Sequence, residues 1–254
     1  MKVFIASRGR AYKQISLQTF PDAALVVPPY EVKAYKTANP DTEVVGYKGE
    51  GIAKTRQHIL DKLSGGKKFL MLDDDIVLYK RGEEPGKFIK LKTPEEVAPL
   101  REELSKALDT YAHAGVAMKW KAFREPRGHR IGAKYGQLFA INPELFPDPP
   151  PRFDRCRVNE ELDFELQLCA AGHFNMLLTE WAEENVKTYA EGGCSVWRTA
   201  EEELKGLQEF AALWPHIIKV RKTDAMICGY KAHIRWPNPN NLTRGPFVLT
   251  KGQQ

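Results

Sequence analysis

The stretch Phe69-Leu70-Met71-Leu72-Asp73-Asp74-Asp75-Ile76 sets the reading of this chain. Four apolar residues in a row predict a buried strand. Three carboxylates at its exit crowd negative charge into a small volume, which is costly unless a cation sits there. In open α/β sheets, ligands bind outside the carboxyl ends of the strands. Position and chemistry therefore agree on a metal site that receives a phosphorylated ligand. On an extended chain Asp73 and Asp75 project to one face and Asp74 to the other. Two same-face carboxylates suit a hard cation, Mg²⁺ or Mn²⁺, which would neutralise a departing diphosphate. An acidic turn after a strand is the plainer alternative.

Upstream, Lys2 to Ala6 predicts a strand that ends in Ser7-Arg8-Gly9-Arg10. A strand-to-helix junction with one glycine and two guanidinium groups suits a phosphate or a nucleobase edge, or is only a polar turn. Ala23 to Val27 and Val44 to Tyr47 predict two further strands. A helix follows from Ile52 to about Leu63, with Arg56 on its apolar stripe beside Lys54 and His58. A charged residue facing inward generally has a partner, although a snorkelling arginine is as good a reading.

Downstream, Tyr79 to Lys92 reads as a mobile loop, rich in Gly, Pro and Lys. Thr93-Pro94-Glu95-Glu96 is a capping box that opens a helix to about Ala112. Gly115 to Lys119 and Tyr135 to Asn142 predict strands on either side of a basic block. Pro147 to Pro151 is a stiff linker, and Asn159 is placed to cap a helix that ends at Gly172. Its first turn, Glu160-Glu161-Leu162-Asp163, either complements the helix dipole or supplies a general base. Phe174 to Leu178 predicts a strand, and Thr199 with Glu202 a second capping box. Short strands then run to Trp236. The tail, Pro237 to Gln254, reads as loose.

The chain has 254 residues, 43% hydrophobic and 28% charged, enough for one substantial core. No apolar run is long enough to span a bilayer and no signal-peptide core opens the chain, so a soluble, cytoplasmic protein is expected. Four cysteines, none in a CxxC pair, read as free thiols. Six Lys/Arg stand against the single Glu125 between Lys119 and Lys134, and seven against Asp224 from His216 onward. Two basic blocks suit a polyanionic partner, or are a solvated face. Alternating strands and helices predict one α/β domain with an elaborated C-terminal part. Nothing in the sequence bears on oligomeric state.

A strand ending in SRGR, an arginine-bearing helix, LDDD, EELDF about ninety residues on, and a late histidine, His233, come in a distinctive order. In that order they resemble a nucleotide-sugar glycosyltransferase of the GT-A fold. More narrowly, KVFIASRGR, GIAKTRQHIL, FLMLDDDI, GGCSVWRT and HIRW are similar to the phage TET-associated glycosyltransferases, over roughly residues 1 to 236. The resemblance implies an α/β fold of GT-A type, a Rossmann-like mixed sheet flanked by helices. It implies transfer of a sugar from a nucleotide-sugar, UDP-linked, to the hydroxyl of 5-hydroxymethylcytosine in phage DNA, in the host cytoplasm. By position it assigns Asp73, Asp75 and His233 to Mn²⁺ or Mg²⁺, and Ser7, Arg8, Arg10, Arg56, Asp73 and Asp74 to the nucleotide-sugar. Glu161 matches the second acid of the family's ED motif, where aspartate is usual, with Asp163 beside it as a further catalytic candidate. Lys119, Lys121, Arg124, Arg127, Arg130 and Trp197 are the candidate DNA contacts. The alternatives are a GT-A enzyme acting on a protein, glycan or small molecule, a metal-dependent nucleotidyltransferase, and a DNA-binding module with a degenerate site.

Overall fold

A computed structural model describes residues 1–185, 199–237 and 239. The chain enters through β1 (Lys2–Ala6), β2 (Ala24–Val27), α1 (Val32–Ala38), β3 (Val44–Gly46) and α2 (Ile52–His58). It continues with β4 (Phe69–Asp73), β5 (Ile76–Arg81), β6 (Phe88–Lys90), α3 (Pro94–Ala107), β7 (His113–Met118) and the short α4 (Lys119–Ala122). β8 (His129–Ile131), β9 (Leu138–Ile141), α5 (Glu160–Ala170), β10 (Met176–Asn185), α6 (Ala200–Leu213), β11 (Ile218–Lys222) and β12 (Tyr230–Ile234) complete the described elements.

Ten strands form one mixed sheet in the order β3-β2-β1-β4-β9-β7-β10-β5-β6, with β8 paired to β10. β3, β2, β1 and β4 run parallel. β9 is antiparallel to both β4 and β7, and β10 runs parallel to β7. The carboxyl ends of β1, β4, β7 and β10 therefore share one edge, and Asp73 stands level with Ala6 across the β1–β4 ladder. This is the Rossmann-like mixed sheet flanked by helices that the sequence implied.

Alternation on the pleat divides the core. Val3, Ile5, Leu70 and Leu72 face the side covered by Val97, Leu100 and Leu104 of α3. Phe4, Phe69 and Met71 face the side covered by Ile59 and Leu60 beyond α2 and by Phe164 and Leu168 of α5. A third cluster joins Leu162 and Leu166 of α5 to Phe210, Trp214 and Ile218. Helix α5 is thus buried on both flanks, between the sheet and the α6–β11–β12 unit.

Most predicted elements fall where expected, and the departures have physical causes. The segment expected to be a mobile loop, Tyr79 to Lys92, folds as the β5–β6 hairpin, Tyr79 pairing with Lys90 and Arg81 with Phe88. The period-two pattern there is diluted by Lys and Arg, as suits a sheet edge. β10 runs on to Asn185, far past the expected Leu178, because the sheet takes acid-bearing Thr179–Asn185 between β7 and β5. The helix from Ile52 widens into a π-helical turn over Ile59–Leu63, where Ser64 N–H donates to Ile59 C=O at 2.9 Å. The Thr93 capping box forms. At Thr199 only the hydroxyl caps, and Glu202 pairs with Arg157 instead. Asn159 makes no side-chain cap bond; it precedes α5 with φ 61°, a left-handed conformation that asparagine tolerates better than most residues. Cys156, Cys169 and Cys228 are free thiols. Among the described residues no helix is long and apolar enough to cross a membrane. Cys194, Trp197, Gly192, Gly193 and nearly all of the tail expected to be loose lie outside the described residues.

Candidate active site

The aspartate run does not stay extended. Strand β4 stops at Asp73, the chain turns at Asp74 and Asp75, and β5 starts at Ile76. The expected pairing of Asp73 with Asp75 on one face therefore gives way to a split. Asp74 and Asp75 converge on one guanidinium nitrogen, Arg10 Nη1, at 2.6 and 3.0 Å. Asp73 goes instead to Arg56, whose Nη2 donates to its Oδ1 at 2.7 Å.

The turn is pinned from below by Ser16, a residue the sequence reading passed over. Its hydroxyl donates to Asp73 C=O at 2.6 Å and accepts from Ile76 N–H at 3.0 Å, while Asp74 C=O accepts from Ile15 and Ser16 N–H. Ser7, at the end of β1, donates to Asp74 Oδ2 and accepts from Tyr35 OH at 2.7 Å and from Gln14 Nε2 at 2.9 Å. Tyr35 OH also accepts from Arg10 N–H at 3.0 Å. Gly9, at φ 68°, turns its N–H onto Glu31 Oε2. SRGR is therefore a built junction, with Arg10 turned onto the aspartates. Arg8 is half-buried and makes no ion pair among the described residues. Burial pushes Asp74 up to about 6, with Asp73's charge adding to it and Ser7 and Arg10 pulling it back. Asp75 is raised by burial and then by Asp73.

Arg56 is the hinge of the cluster. It is 2% exposed, and its Nη1 donates to Glu160 Oε1 at 2.7 Å, with Glu161 Oε2 at 3.9 Å. Its guanidinium lies over the Phe139 ring, 4.8 Å from the centroid. The snorkelling alternative is excluded: Arg56 joins the strand β4 aspartate to Glu160 in the first turn of α5, which lies 104 residues beyond Arg56 itself. One cation faces three carboxylates. Burial and Glu161's charge accordingly push Glu160 up to about 8, although Arg56 pulls it down. At the end of β10, Glu183 accepts from the amides of Gln137 and Leu138, and burial pushes it to about 8. A site this rich in carboxylates and short of positive charge has the chemistry to take up a cation.

The three acids of the α5 first turn separate by environment. Glu160 is buried on Arg56. Asp163 is fully buried and accepts from Trp214 Nε1 at 2.7 Å and Gln167 Nε2 at 2.9 Å, with Arg155 at 3.4 Å. Trp214 fastens α5 to the α6 unit, and the three partners together turn the carboxylate away from solvent, in place of the open position expected of a catalytic acid. Glu161 alone keeps a partly exposed carboxylate, with 18% of its side chain accessible, at the edge of the cluster.

The remaining candidates are dispersed. His233 is exposed on β12, opposite Lys219 in the separate two-stranded sheet. Among the described residues, no group of three or more His, Cys, Asp or Glu side chains is assembled to hold a metal ion. His58 stacks on Tyr47, ring centroids 4.1 Å apart. In the first basic block, Lys119 pairs with Glu184, Arg127 with Glu180 and Arg130 with Glu125. Lys121 and Arg124 make no ion pair among the described residues and instead lie over the rings of Trp120 and Phe123.

The family model of the TET-associated glycosyltransferases matches residues 1–193. That span takes in Arg10, Arg56, the three aspartates and the α5 acids, and stops short of β11 and β12. No curated protein matches. Among solved structures, a protein assigned as a glucose-1-phosphate thymidylyltransferase from Bacillus anthracis, in complex with sucrose, superposes with a TM-score of 0.43 at 10% identity, covering 84% of this chain and 94% of that one. A mannose-1-phosphate geranyltransferase from Thermus thermophilus gives 0.32 at 11% identity, over 70% of this chain and 57% of its own. Likeness at this level says nothing about substrate.

Proposed function

The chain belongs to the TET-associated glycosyltransferase family and is a glycosyltransferase, and from that premise we propose that it moves a sugar from a nucleotide-sugar, UDP-linked, to the hydroxyl of 5-hydroxymethylcytosine in DNA. The observation that carries this reading is the Arg56 bridge. It draws the acidic exit of β4 and the first turn of α5 into one site at the carboxyl edge of the sheet, where nucleotide ligands bind in open α/β folds.

Asp73 and Asp75 would hold Mg²⁺ or Mn²⁺ once each is released from its arginine, since here Asp73 pairs with Arg56 and Asp75 with Arg10. Their hard oxygens suit either ion, and the surplus of carboxylates over arginines gives the ion a reason to bind there. When bound, it would offset the charge that builds on the leaving diphosphate. The protein's own groups do the rest. Ser7 and Asp74 hold Arg10 in place at the end of β1, and Arg8 stands beside them as a cation for the nucleotide end. Arg56 fixes the spacing between the donor side and α5. Glu161, partly exposed at the edge of the cluster, takes the proton from the acceptor hydroxyl as it attacks the anomeric carbon. A positioned base of this kind contributes about 10²–10⁴-fold. Support for a DNA acceptor comes from the basic segment after β7, which begins where Lys119 pairs with Glu184, the neighbour of Glu183.

The test is a transfer assay read by mass. Protein, Mn²⁺ and DNA containing 5-hydroxymethylcytosine are incubated with a panel of nucleotide-sugars, and the digested nucleosides are weighed. A hexose- or N-acetylhexosamine-sized gain on the modified nucleoside is the expected result. Hydrolysis of a nucleotide-sugar with no gain on any nucleoside would overturn the DNA acceptor and leave the transferase.

A further inference from the structure

We propose that Trp120 and Phe123 form a stacking platform that receives an unstacked base of the acceptor DNA beside the transfer site. The proposal rests on the DNA-acceptor reading above and adds to it how the strand is held.

Exposed aromatic side chains are ordinary when scattered singly. These two are not scattered. Trp120 is 61% exposed and Phe123 52%, and they sit three residues apart on one helical turn, α4 and its C-terminal cap. That spacing puts both rings on the same face. Ala122, on the opposite side of the turn, is fully buried in the core. Each ring also carries a cation: Lys121 Nζ lies 4.9 Å from the Trp120 centroid and the Arg124 guanidinium 5.1 Å from that of Phe123. Rings interleaved with unpaired cations are what a single strand requires, since every base has a π face and every step a phosphate.

The platform is held rigidly, so the exposure is not a loose end. Arg81 of β5 donates to Ala122 C=O and to Glu125 C=O. Arg127 Nη2 donates to Gly82 C=O at 2.6 Å, and Thr179 to Pro126 C=O at 2.5 Å. The β5–β6 hairpin and β10 thus fasten the backbone at Ala122, between the two rings, and at Glu125 and Pro126 just beyond them. The platform also borders the chemistry. Lys119, which opens the turn, bonds Glu184 at 2.9 Å. Lys121 is lowered by burial and then by Lys134, and is raised by Glu125 and by Glu165, which lies one turn beyond Glu161 on α5. The charge fits one occupant: a polyanion with flat bases, not an apolar peptide.

The experiment measures binding of the full chain to a fluorescein-labelled single-stranded oligonucleotide containing 5-hydroxymethylcytosine, and to its duplex, across a salt series. Trp120→Ala and Phe123→Ala should each weaken single-strand binding by about 5- to 150-fold, with Trp120→Tyr recovering most of the loss. The logarithmic salt slope should be kept in the aromatic variants and should fall by about one in Lys121→Ala or Arg124→Ala. Alanine variants that bind the strand as tightly as the unmodified chain would overturn the platform while leaving the DNA acceptor standing. An unmodified chain that shows no salt-dependent binding to either form would overturn both. Duplex binding that exceeds single-strand binding and ignores both substitutions would also overturn the platform, because the base would then be read within the stack.

Discussion

Replacing Arg56 by methionine tests the cluster at its centre. The guanidinium is 2% exposed and donates at 2.7 Å to both Asp73 and Glu160, with Glu161 at 3.9 Å. Methionine fills similar volume against Phe139 but leaves three carboxylates facing one another without their shared cation. Breaking a buried ion pair by removing one partner costs about 3–5 kcal/mol, which for a chain of this size lowers Tm by about 6–20 °C. The loss should depend on pH, and its sign follows from linkage. Without Arg56, Glu160 rises further above its unfolded value. The folded state then binds more protons than the unfolded one, and stability falls as pH rises through that window. Glu160 is already pushed up to about 8 with Arg56 in place and goes higher without it, so the variant should be hurt most above pH 8, where its folded state holds a proton that the native chain has released. It should be hurt least near pH 5, where the carboxyls neutralise. A second substitution, Glu160→Gln, should return part of the loss, since the two residues are coupled. Thermal melts of the four proteins at several pH values read all of this. A loss under about 1 kcal/mol, or one that does not grow between pH 5 and a pH above 8, would refute the view that Arg56 neutralises a crowded carboxylate cluster.

Three further outcomes are expected. Glu161→Gln should lower sugar transfer by about 10²–10⁴-fold while calorimetric binding of the nucleotide-sugar persists, whereas Asp75→Ala should lose Mn²⁺-dependent donor binding; near-normal turnover of the glutamine variant would remove Glu161 as the base. His113 is fully buried between Tyr135 OH and His173 C=O, and burial holds it at about 4 against an ordinary 6.5. The unfolded chain takes up that proton first, so stability should be lost as pH falls from 6.5 to about 4, by about 3 kcal/mol at about 1.4 kcal/mol per pH unit; denaturant curves should show this slope in the native chain and not in His113→Gln. Gly136→Ala would drive a methyl into the Glu183 carboxylate, displacing it from the Gln137 and Leu138 amides at a cost of about 1.5–3 kcal/mol, and an unshifted denaturant midpoint would contradict that geometry.

How much of this protein could be read before folding follows from the range of the interactions. Local rules settle a buried strand, a capped helix and a strand-end turn, so FLMLDDD, the Thr93 capping box and SRGR announced β4, α3 and the β1 junction from a few residues each. The same rules placed Arg56 on an inward stripe and acids in the α5 first turn. They could not say that the two meet, because their bond spans 104 residues. Three acids within one helical turn look alike in sequence. Only the packing of α6 against α5 turns Asp163 to Trp214, leaves Glu160 on Arg56 and keeps Glu161 partly open. The β5–β6 hairpin was hidden for a similar reason: edge strands carry charge and lose the alternation that marks a buried one. Ser16 and Tyr35 support the aspartate turn from elsewhere in the chain and carry no pattern of their own. Composition and local periodicity thus determined the strands, the helix starts and the kinds of side chain gathered at the sheet's carboxyl edge. Which carboxylate each arginine neutralises, and which acid is left facing solvent, was decided by the tertiary structure alone, because burial and charge pairing depend on neighbours that sequence distance does not reveal.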